Sequence, residues 1–224
     1  MTVLTQTFAA ALFDNDGTLI DSTEAVRRSW GSWAIEYGVD PHHLQGFHGV
    51  PAAAIVAQLL PDSDHEAALA RIVALEEADT DGILALPGAA RALHAVAARG
   101  AVVTSATHAL GMARLQAAQL PIPEVVVSAD DVRHGKPDPE PYLLAASRLN
   151  VAPRQCLVVE DAPSGIASAR AAGCAVLAVV TTTAEADLPA DLVVPDLSSV
   201  QFELAAGGLR VHMSGSDQEM SGRD

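Results

Sequence analysis

Six short apolar runs along the chain are each followed by polar residues, and helical patterns separate most of them. The runs cover residues 8–13, 101–103, 124–127, 156–159, 175–180 and 191–194. Helical spacing of apolar residues is found in 87–100, 109–120, 139–150 and 163–173. Continuous apolar strands that alternate with helices are typical of a parallel sheet covered on both faces. The pattern therefore predicts an α/β protein with a doubly wound parallel sheet.

Residues 22–85 interrupt this alternation. They contain three helical patterns separated by Pro and Gly, and no convincing strand. We therefore predict an α/β core domain formed by residues 1–21 and 86–205, with an all-helical cap domain, residues 22–85, inserted after the first strand. Residues 206–224 are polar, rich in Gly and Ser, and without hydrophobic period. They are predicted to be a disordered tail.

Composition and charge narrow the choice of partners and location. The 224 residues suit one domain that carries a smaller inserted one. A net charge of −15 argues against binding to nucleic acid or to an anionic membrane surface. The N-terminal residues lack a basic region and a long apolar run, so we expect a cytoplasmic protein. Cys156 and Cys174 both lie in apolar runs and are predicted to be buried thiols rather than a disulfide or metal site.

Polar side chains follow four of the predicted strands or lie in the loops beyond them. They are Asp14, Asp16, Ser105, Lys136, Glu160 and Asp161. Ligands of open α/β sheets bind beyond the carboxyl ends of the strands, at one edge of the sheet. We therefore expect these six side chains to lie close together and to form one site.

The residue types at this edge indicate phosphate chemistry. Carboxylates from two loops form a hard-oxygen site suited to Mg²⁺, and no His or Cys spacing for zinc is present. Ser105 and nearby backbone N–H groups, those of Ala106 and Asn15, are suited to hold phosphate oxygens, while Lys136 adds a positive charge. One aspartate is able to attack phosphorus, and a second is able to protonate the leaving oxygen and later activate water.

The motifs that carry these residues resemble those of the haloacid dehalogenase-like (HAD) hydrolase superfamily, in its phosphatase branch with a helical cap. The resemblance covers roughly residues 1–205. Four motifs match in order: FDNDGTLIDS (13–22), VVTSAT (102–107), GKPDPEPY (135–142) and VVEDAPSGIASARAAG (158–173).

The resemblance implies a role for each position. Asp14 is the expected nucleophile and a Mg²⁺ ligand. Asp16 is the expected general acid and base, and its backbone carbonyl is a second ligand. Asp161 is the remaining protein ligand, with Glu160 beside it in or near the ligand set.

Two further positions match residues that bind the phosphate. Ser105 matches the hydroxyl that binds a phosphate oxygen. Lys136 matches the lysine that neutralises the nucleophile and the phosphoryl group. The resemblance also implies that residues 22–85 form the cap that closes over the site.

The cap stretch, residues 30–61, looks most like that of the sugar- and polyol-phosphate phosphatases, such as 2-deoxyglucose-6-phosphatase and glycerol-3-phosphatase. Phe47, His48 and Gly49 are the expected substrate contacts, and an ordinary interhelical turn is the alternative. Those enzymes often carry Arg where this chain has Val50. The predicted function is hydrolysis of small phosphomonoesters, with sugar or polyol phosphates preferred, by a Mg²⁺-dependent monomer or small homo-oligomer.

Alternative activities remain open at this point. Phosphoglycolate or nucleotide phosphatases share the core motifs, and so do phosphomutases of the β-phosphoglucomutase type. The mutases carry a histidine on the first cap helix where this chain has Val26, which favours hydrolysis. Dehalogenases use a lone aspartate without metal, and signalling receivers are about half as long without a helical insertion. An inactive binding protein would be expected to have lost a core motif.

Overall fold

The computed structural model describes residues 3–44 and 50–215. The strands in these residues are β1 (Ala10–Phe13), β2 (Ile20–Asp21), β3 (Leu84–Ala85), β4 (Gly100–Val103), β5 (Val125–Val127), β6 (Cys156–Glu160), β7 (Ala175–Val179), β8 (Leu192–Val194), β9 (Val200–Ala205) and β10 (Gly208–Met213). The α-helices are α1 (Thr23–Tyr37), α2 (Ala52–Leu59), α3 (His65–Ala78), α4 (Ala89–Val96), α5 (His108–Ala117), α6 (Glu140–Arg148) and α7 (Pro163–Ala171). Every predicted strand and helix of the α/β pattern is present.

A six-stranded parallel sheet forms the centre of the fold. Its strand order is β5-β4-β1-β6-β7-β8, so the chain moves outward from β1 in both directions. In the ladder, Phe13 of β1 is paired with Val102 of β4 on one side and Val159 of β6 on the other. This topology confirms the predicted doubly wound sheet and places the end of β1 at the point where the strand order reverses.

Successive side chains of β1 point to opposite faces of the sheet, as in any strand. Phe13 belongs to one buried cluster, which α4, α5 and the β9–β10 hairpin help to form. Leu12 belongs to the other, where Tyr142 of α6 and Ile166 of α7 cover it. Helices therefore cover both faces, which explains why the central strands are continuously apolar.

Residues 22–83 leave and rejoin this core through a two-stranded antiparallel ribbon formed by β2 and β3. The helices α1, α2 and α3 share a separate apolar cluster, in which Trp33 is completely buried between Trp30 and Tyr37. The Trp33 indole Nε1 donates to the carbonyl of Ala68 at 2.9 Å, which joins α1 to α3. The three predicted helices are thus present, but β3 is a strand that the sequence did not indicate because its two residues are exposed.

The predicted disordered tail is wrong for residues 208–213, which form β10. This strand pairs in antiparallel register with β9, and Leu209 also exchanges two backbone hydrogen bonds with Phe8 at 2.7 and 2.8 Å. The physical reason is the alternation in GLRVHM, because Leu209 and Val211 are buried while Arg210 between them is exposed. Residues 216–224 of the predicted tail lie outside the described part of the chain.

Two smaller expectations concern the cysteines and membrane insertion. Cys156 and Cys174 are both buried and free, as predicted. Among residues 3–44 and 50–215, no helix is long and apolar enough to cross a membrane.

Candidate active site

The polar residues predicted to converge lie at the carboxyl edge of the sheet. Asp14 directly follows β1, and Glu160 is the last residue of β6, the neighbouring strand. Asp161 comes next in the chain, and Lys136 reaches the same point from the loop between β5 and α6. Residues far apart in sequence are therefore brought together by the topology of the sheet.

Lys136 is the centre of the acidic cluster. Its Nζ donates to Asp14 Oδ1 at 2.6 Å, to Glu160 Oε1 at 2.7 Å and to the carbonyl of Val103 at 3.0 Å. The side chain is only 3% exposed, and Nζ also lies 5.1 Å from the ring centre of Tyr142. Burial opposes the charge, but the two carboxylates outweigh it and raise the pKa of Lys136 above its ordinary value. The lysine is therefore a fixed cation.

Glu160 is saturated with hydrogen bonds from the protein. Oε1 accepts from Lys136 Nζ and from the Tyr142 hydroxyl at 2.9 Å, and Oε2 accepts from the backbone N–H groups of Asp161 and Ala162 at 3.0 and 3.1 Å. A carboxylate offers about four lone-pair sites, and all four are taken. A Cβ atom at Gly165 would overlap this carboxylate, so that position requires glycine. The sequence predicts Glu160 in or near the metal ligands; in the structure it lies beside Asp14 and Asp161, and four protein donors occupy its oxygens.

Asp161 keeps coordinating capacity on both of its oxygens. Oδ1 accepts from the Thr18 hydroxyl at 3.3 Å, and Oδ2 accepts from the Thr182 hydroxyl. Burial first, and the charge of Glu160 second, raise the pKa of Asp161 to about 7. Gly17 adopts a φ of +87°, and a Cβ atom there would clash with Asp161. A glycine is therefore needed at the turn that faces this carboxylate.

The carboxylates fit a bound cation. Asp14, Glu160 and Asp161 each present an oxygen within 4.8 Å of the others, and all three side chains are buried. Lys136 forms ion pairs with Asp14 and Glu160, so one lysine lies beside three carboxylates and an excess of negative charge remains. Burial, assisted by the charges of Glu160 and Asp161, raises the pKa of Asp14 well above its usual value despite Lys136. A hard divalent cation between Asp14 and Asp161 would remove this excess.

Asp16 is held by a residue that the sequence analysis missed. Its Oδ1 accepts from Arg114 Nη1 at 2.8 Å and from the Ser22 hydroxyl at 2.7 Å. Arg114 lies on α5 and also donates to Glu76 of α3 at 3.1 Å. Its place on the buried face of α5, which it shares with Leu110 and other apolar residues, is a signal that could have identified it. A charged residue at an apolar position of a helix needs a buried partner.

The predicted phosphate-binding residues Ser105, Ala106 and Asn15 differ in their burial and in their hydrogen-bond partners. Ser105 lies two residues beyond the end of β4 and is half-buried. The Ala106 N–H already donates to the Thr104 hydroxyl at 3.1 Å. Asn15 is completely buried, and its carbonyl accepts from the N–H groups that follow it, including that of Leu19 at 2.8 Å. The Ala106 N–H and the Asn15 carbonyl are thus engaged within the protein, and phosphate binding by Ser105 stays a prediction.

Two expectations concern the helical segment. Phe47, His48 and Gly49, the predicted substrate contacts, lie outside the described residues. Val26, which stands where the mutases carry histidine, packs against the apolar cluster of α1, α2 and α3.

Comparisons with known proteins give a consistent result. A family model described as haloacid dehalogenase-like hydrolase matches residues 11–179. Hexitol phosphatase A of Escherichia coli K12 is 42% identical over 84% of this chain and 91% of the relative. For 2-deoxyglucose-6-phosphate phosphatase 1 of Saccharomyces cerevisiae the identity is 30% over 84% and 88%. The crystal structure of CbbY from Rhodobacter sphaeroides in complex with phosphate is similar at a TM-score of 0.70 and 25% identity, over 86% and 96% of the two chains.

Proposed function

Because the chain belongs to the haloacid dehalogenase-like hydrolase family, we propose that it hydrolyses small phosphomonoesters, with sugar and polyol phosphates as its preferred substrates. The resemblance to sugar- and polyol-phosphate phosphatases that residues 30–61 indicate is confirmed by relatives with those names. One observation carries the proposal for this chain. Asp14, at the end of the central strand, is buried beside Asp161 and is ion-paired with Lys136, which suits a nucleophile that must meet an anionic phosphate.

The proposal includes Mg²⁺ as the cofactor. Asp14, Asp161 and the backbone carbonyl of Asp16 would hold the ion, and Glu160 would orient Lys136 rather than ligate. When bound, Mg²⁺ supplies positive charge that offsets the phosphoryl group and the carboxylates. The buried, hard-oxygen character of the carboxylate cluster supports this assignment.

The proposed reaction has two steps. Asp14 attacks phosphorus, so that a new O–P bond forms while the bond to the alcohol breaks, and Asp16 donates a proton to the leaving oxygen. Water then loses a proton to Asp16 and attacks the aspartyl-phosphate, which releases phosphate and restores Asp14. Lys136 and the Ser105 hydroxyl hold the phosphoryl oxygens during both steps.

Residues 22–85 act in this proposal as a cap over the site. Phe47, His48 and Gly49 remain its proposed contacts with the sugar or polyol part of the substrate. Val26 supports hydrolysis over mutase chemistry, because an apolar residue packed in the helical cluster offers no group to assist phosphate transfer to a sugar hydroxyl.

A substrate screen tests the proposal. Phosphate release would be measured with Mg²⁺ present for hexitol phosphates, other sugar and polyol phosphates, nucleotides and phosphoglycolate, and glucose 1-phosphate would be followed for isomerisation. We expect the highest kcat/KM for a sugar or polyol phosphate, no isomerisation, and loss of activity in EDTA. Hydrolysis that survives EDTA would contradict the role of the metal. Preference for a nucleotide or phosphoglycolate would contradict the substrate class.

A further inference from the structure

We propose that Arg114 is a positioning residue for Asp16 and that Glu76, on helix α3 of the segment 22–85, holds Arg114 in place. The inference rests on the proposed function, because it takes Asp16 to be the group that transfers the proton. It adds two residues to the site that belong to none of the matched motifs.

The contacts of Asp16 divide its two oxygens into a fixed one and an available one. Oδ1 accepts two short hydrogen bonds, from Arg114 Nη1 at 2.8 Å and from the Ser22 hydroxyl at 2.7 Å. Among residues 3–44 and 50–215, the contact of Oδ2 is a long one, 3.4 Å from Asn15 Nδ2. The side chain of Asp16 is 28% exposed, whereas that of Arg114 is 6% exposed. Arg114 therefore holds the carboxylate from the protein side and leaves Oδ2 free to meet a substrate oxygen.

Glu76 fixes the other end of the guanidinium. Its Oε1 accepts from Arg114 Nη2 at 3.1 Å, and both side chains are buried. The planar guanidinium is thus hydrogen-bonded to two carboxylates, one from the loop after β1 and one from α3. The orientation of Asp16 consequently depends on the docking of α3 against α5.

Stability does not account for an arginine at this position. Buried ion pairs contribute little net stability compared with apolar residues of similar volume. The neighbours of Arg114 on the same face of α5, Leu110 and Leu115, are buried apolar residues, so an apolar side chain would suit the packing. Within the described residues, the buried side-chain atoms without a hydrogen-bond partner are Arg114 Nε and Asn15 Oδ1. Both belong to side chains that contact Asp16, and such atoms are costly to bury. We therefore attribute the arginine at position 114 to its role in positioning Asp16 rather than to packing.

The proposal predicts a dependence on the leaving group. Departure of a basic alkoxide or phenolate requires a proton from Asp16, whereas the weakly basic p-nitrophenolate leaves without one. A misplaced Asp16 should therefore slow cleavage of phenyl phosphate far more than cleavage of p-nitrophenyl phosphate. A general loss of folded protein would instead reduce both rates by the same factor.

Single-turnover release of phenol and of p-nitrophenol, with Mg²⁺ present and enzyme in excess, measures this difference. For Arg114→Met we expect phenol release to fall about 10- to 100-fold and p-nitrophenol release to fall less than about threefold. Arg114→Lys, which keeps a positive charge near Asp16, should recover part of the loss. Because Arg114→Met leaves Glu76 buried without its partner, the double variant Arg114→Met/Glu76→Leu removes both charges and should show the same selectivity in a folded protein.

Two comparisons complete the experiment. Arg71→Met/Glu36→Leu removes an exposed Arg–Glu pair between α3 and α1, and should leave both rates unchanged. Asp16→Asn should show the selective loss in its strongest form. If Asp16→Asn is selective but the Arg114 variants lose both rates equally, or lose neither, the role of Arg114 is wrong while the proposed function stands. If the unchanged chain releases neither product, or Asp16→Asn shows no selectivity, the proposed function fails and the positioning role fails with it.

Discussion

Lys136 and Arg114 are both buried cations that bridge two carboxylates, yet they depend on different parts of the chain. The partners of Lys136, Asp14 and Glu160, both lie at ends of strands in the central sheet. Arg114 joins Asp16 of the core to Glu76 of the helical segment. The geometry around Lys136 is therefore determined by the central sheet and the loop and helix α6 packed on it, whereas the geometry around Arg114 also requires α3 to be docked.

This difference separates the two tasks proposed for the site. The groups proposed to bind and attack phosphate lie beside β1, whose backbone is hydrogen-bonded to a strand on each side. Asp16, the proposed proton-transfer group, is held through Arg114 from the helical segment as well. The expected effects of substitutions therefore differ on the two sides of the site.

The largest loss of stability is expected when Lys136 is replaced by an uncharged residue. Lys136→Met leaves Asp14 and Glu160 buried without their cation, so the free energy of unfolding in EDTA should fall by about 3–5 kcal/mol. Hydrolysis of p-nitrophenyl phosphate with Mg²⁺ should also fall by more than about 100-fold, since the phosphoryl group loses its fixed cation. Urea unfolding and steady-state rates measure the two effects. The comparison fails if Arg114→Met is the more destabilising change.

The second prediction concerns pH and the excess negative charge beside Lys136. Burial and Glu160 raise the pKa of Asp161 from 3.8 to about 7 in the folded chain. Between these values the folded chain binds more protons at this group than the unfolded chain, so the contribution of Asp161 to the free energy of unfolding is present at low pH and is lost as the pH rises from about 4 to about 7.

Urea unfolding in EDTA at several pH values tests this sign. The difference in stability between the unchanged chain and Asp161→Asn should shift against the unchanged chain as the pH rises, because Asn carries no charge at any of these pH values. Mg²⁺ should restore stability at pH 7 in the unchanged chain and much less in the variant. A difference that moves in favour of the unchanged chain over this range would contradict the charge assignment.

The third prediction has the smallest expected effect and concerns the helix that carries Arg114. The Thr107 hydroxyl caps α5 by accepting from the Leu110 N–H at 3.2 Å. Thr107→Ala should lower the free energy of unfolding by about 1 kcal/mol, since one N–H at the start of the helix loses its partner. Single-turnover release of phenol should change by less than about threefold, because Arg114 lies two turns further along the helix. Thr107→Ser, which keeps the cap, is the matched control.

The same division explains how much the sequence alone could predict. Asp14, Lys136 and Asp161 follow or lie beyond apolar strands, and topology places all such residues at one edge of the sheet. Arg114 and Glu76 lie inside helices, and their meeting depends on how α3 docks on α5, which no local pattern specifies. The signal that was present is indirect: Glu76 continues the buried face of α3 formed by Ala68 and Ile72.

Two further differences between the sequence-based predictions and the structure, at β10 and at Glu160, also have local causes. The alternation in β10 is short and follows a Gly pair, so composition suggested disorder where Leu209 and Val211 are in fact buried. The motif pattern indicated that Glu160 belongs near the metal, but it does not reveal the four donors that occupy its oxygens. Hydrogen-bond saturation depends on the folded loops and is visible only in three dimensions.

The central claim is that Asp14 accepts the phosphoryl group, and its phosphorylation can be detected directly. Asp16→Asn would be mixed with Mg²⁺ and p-nitrophenyl phosphate, because slow hydrolysis of the intermediate should let it accumulate. The products would then be reduced with borohydride, which converts an aspartyl-phosphate to homoserine, and mapped by mass spectrometry. We predict reduction at residue 14, and none when Asp14→Asn is also present. Reduction at another residue, or catalytic turnover by Asp14→Asn alone, would contradict the claim.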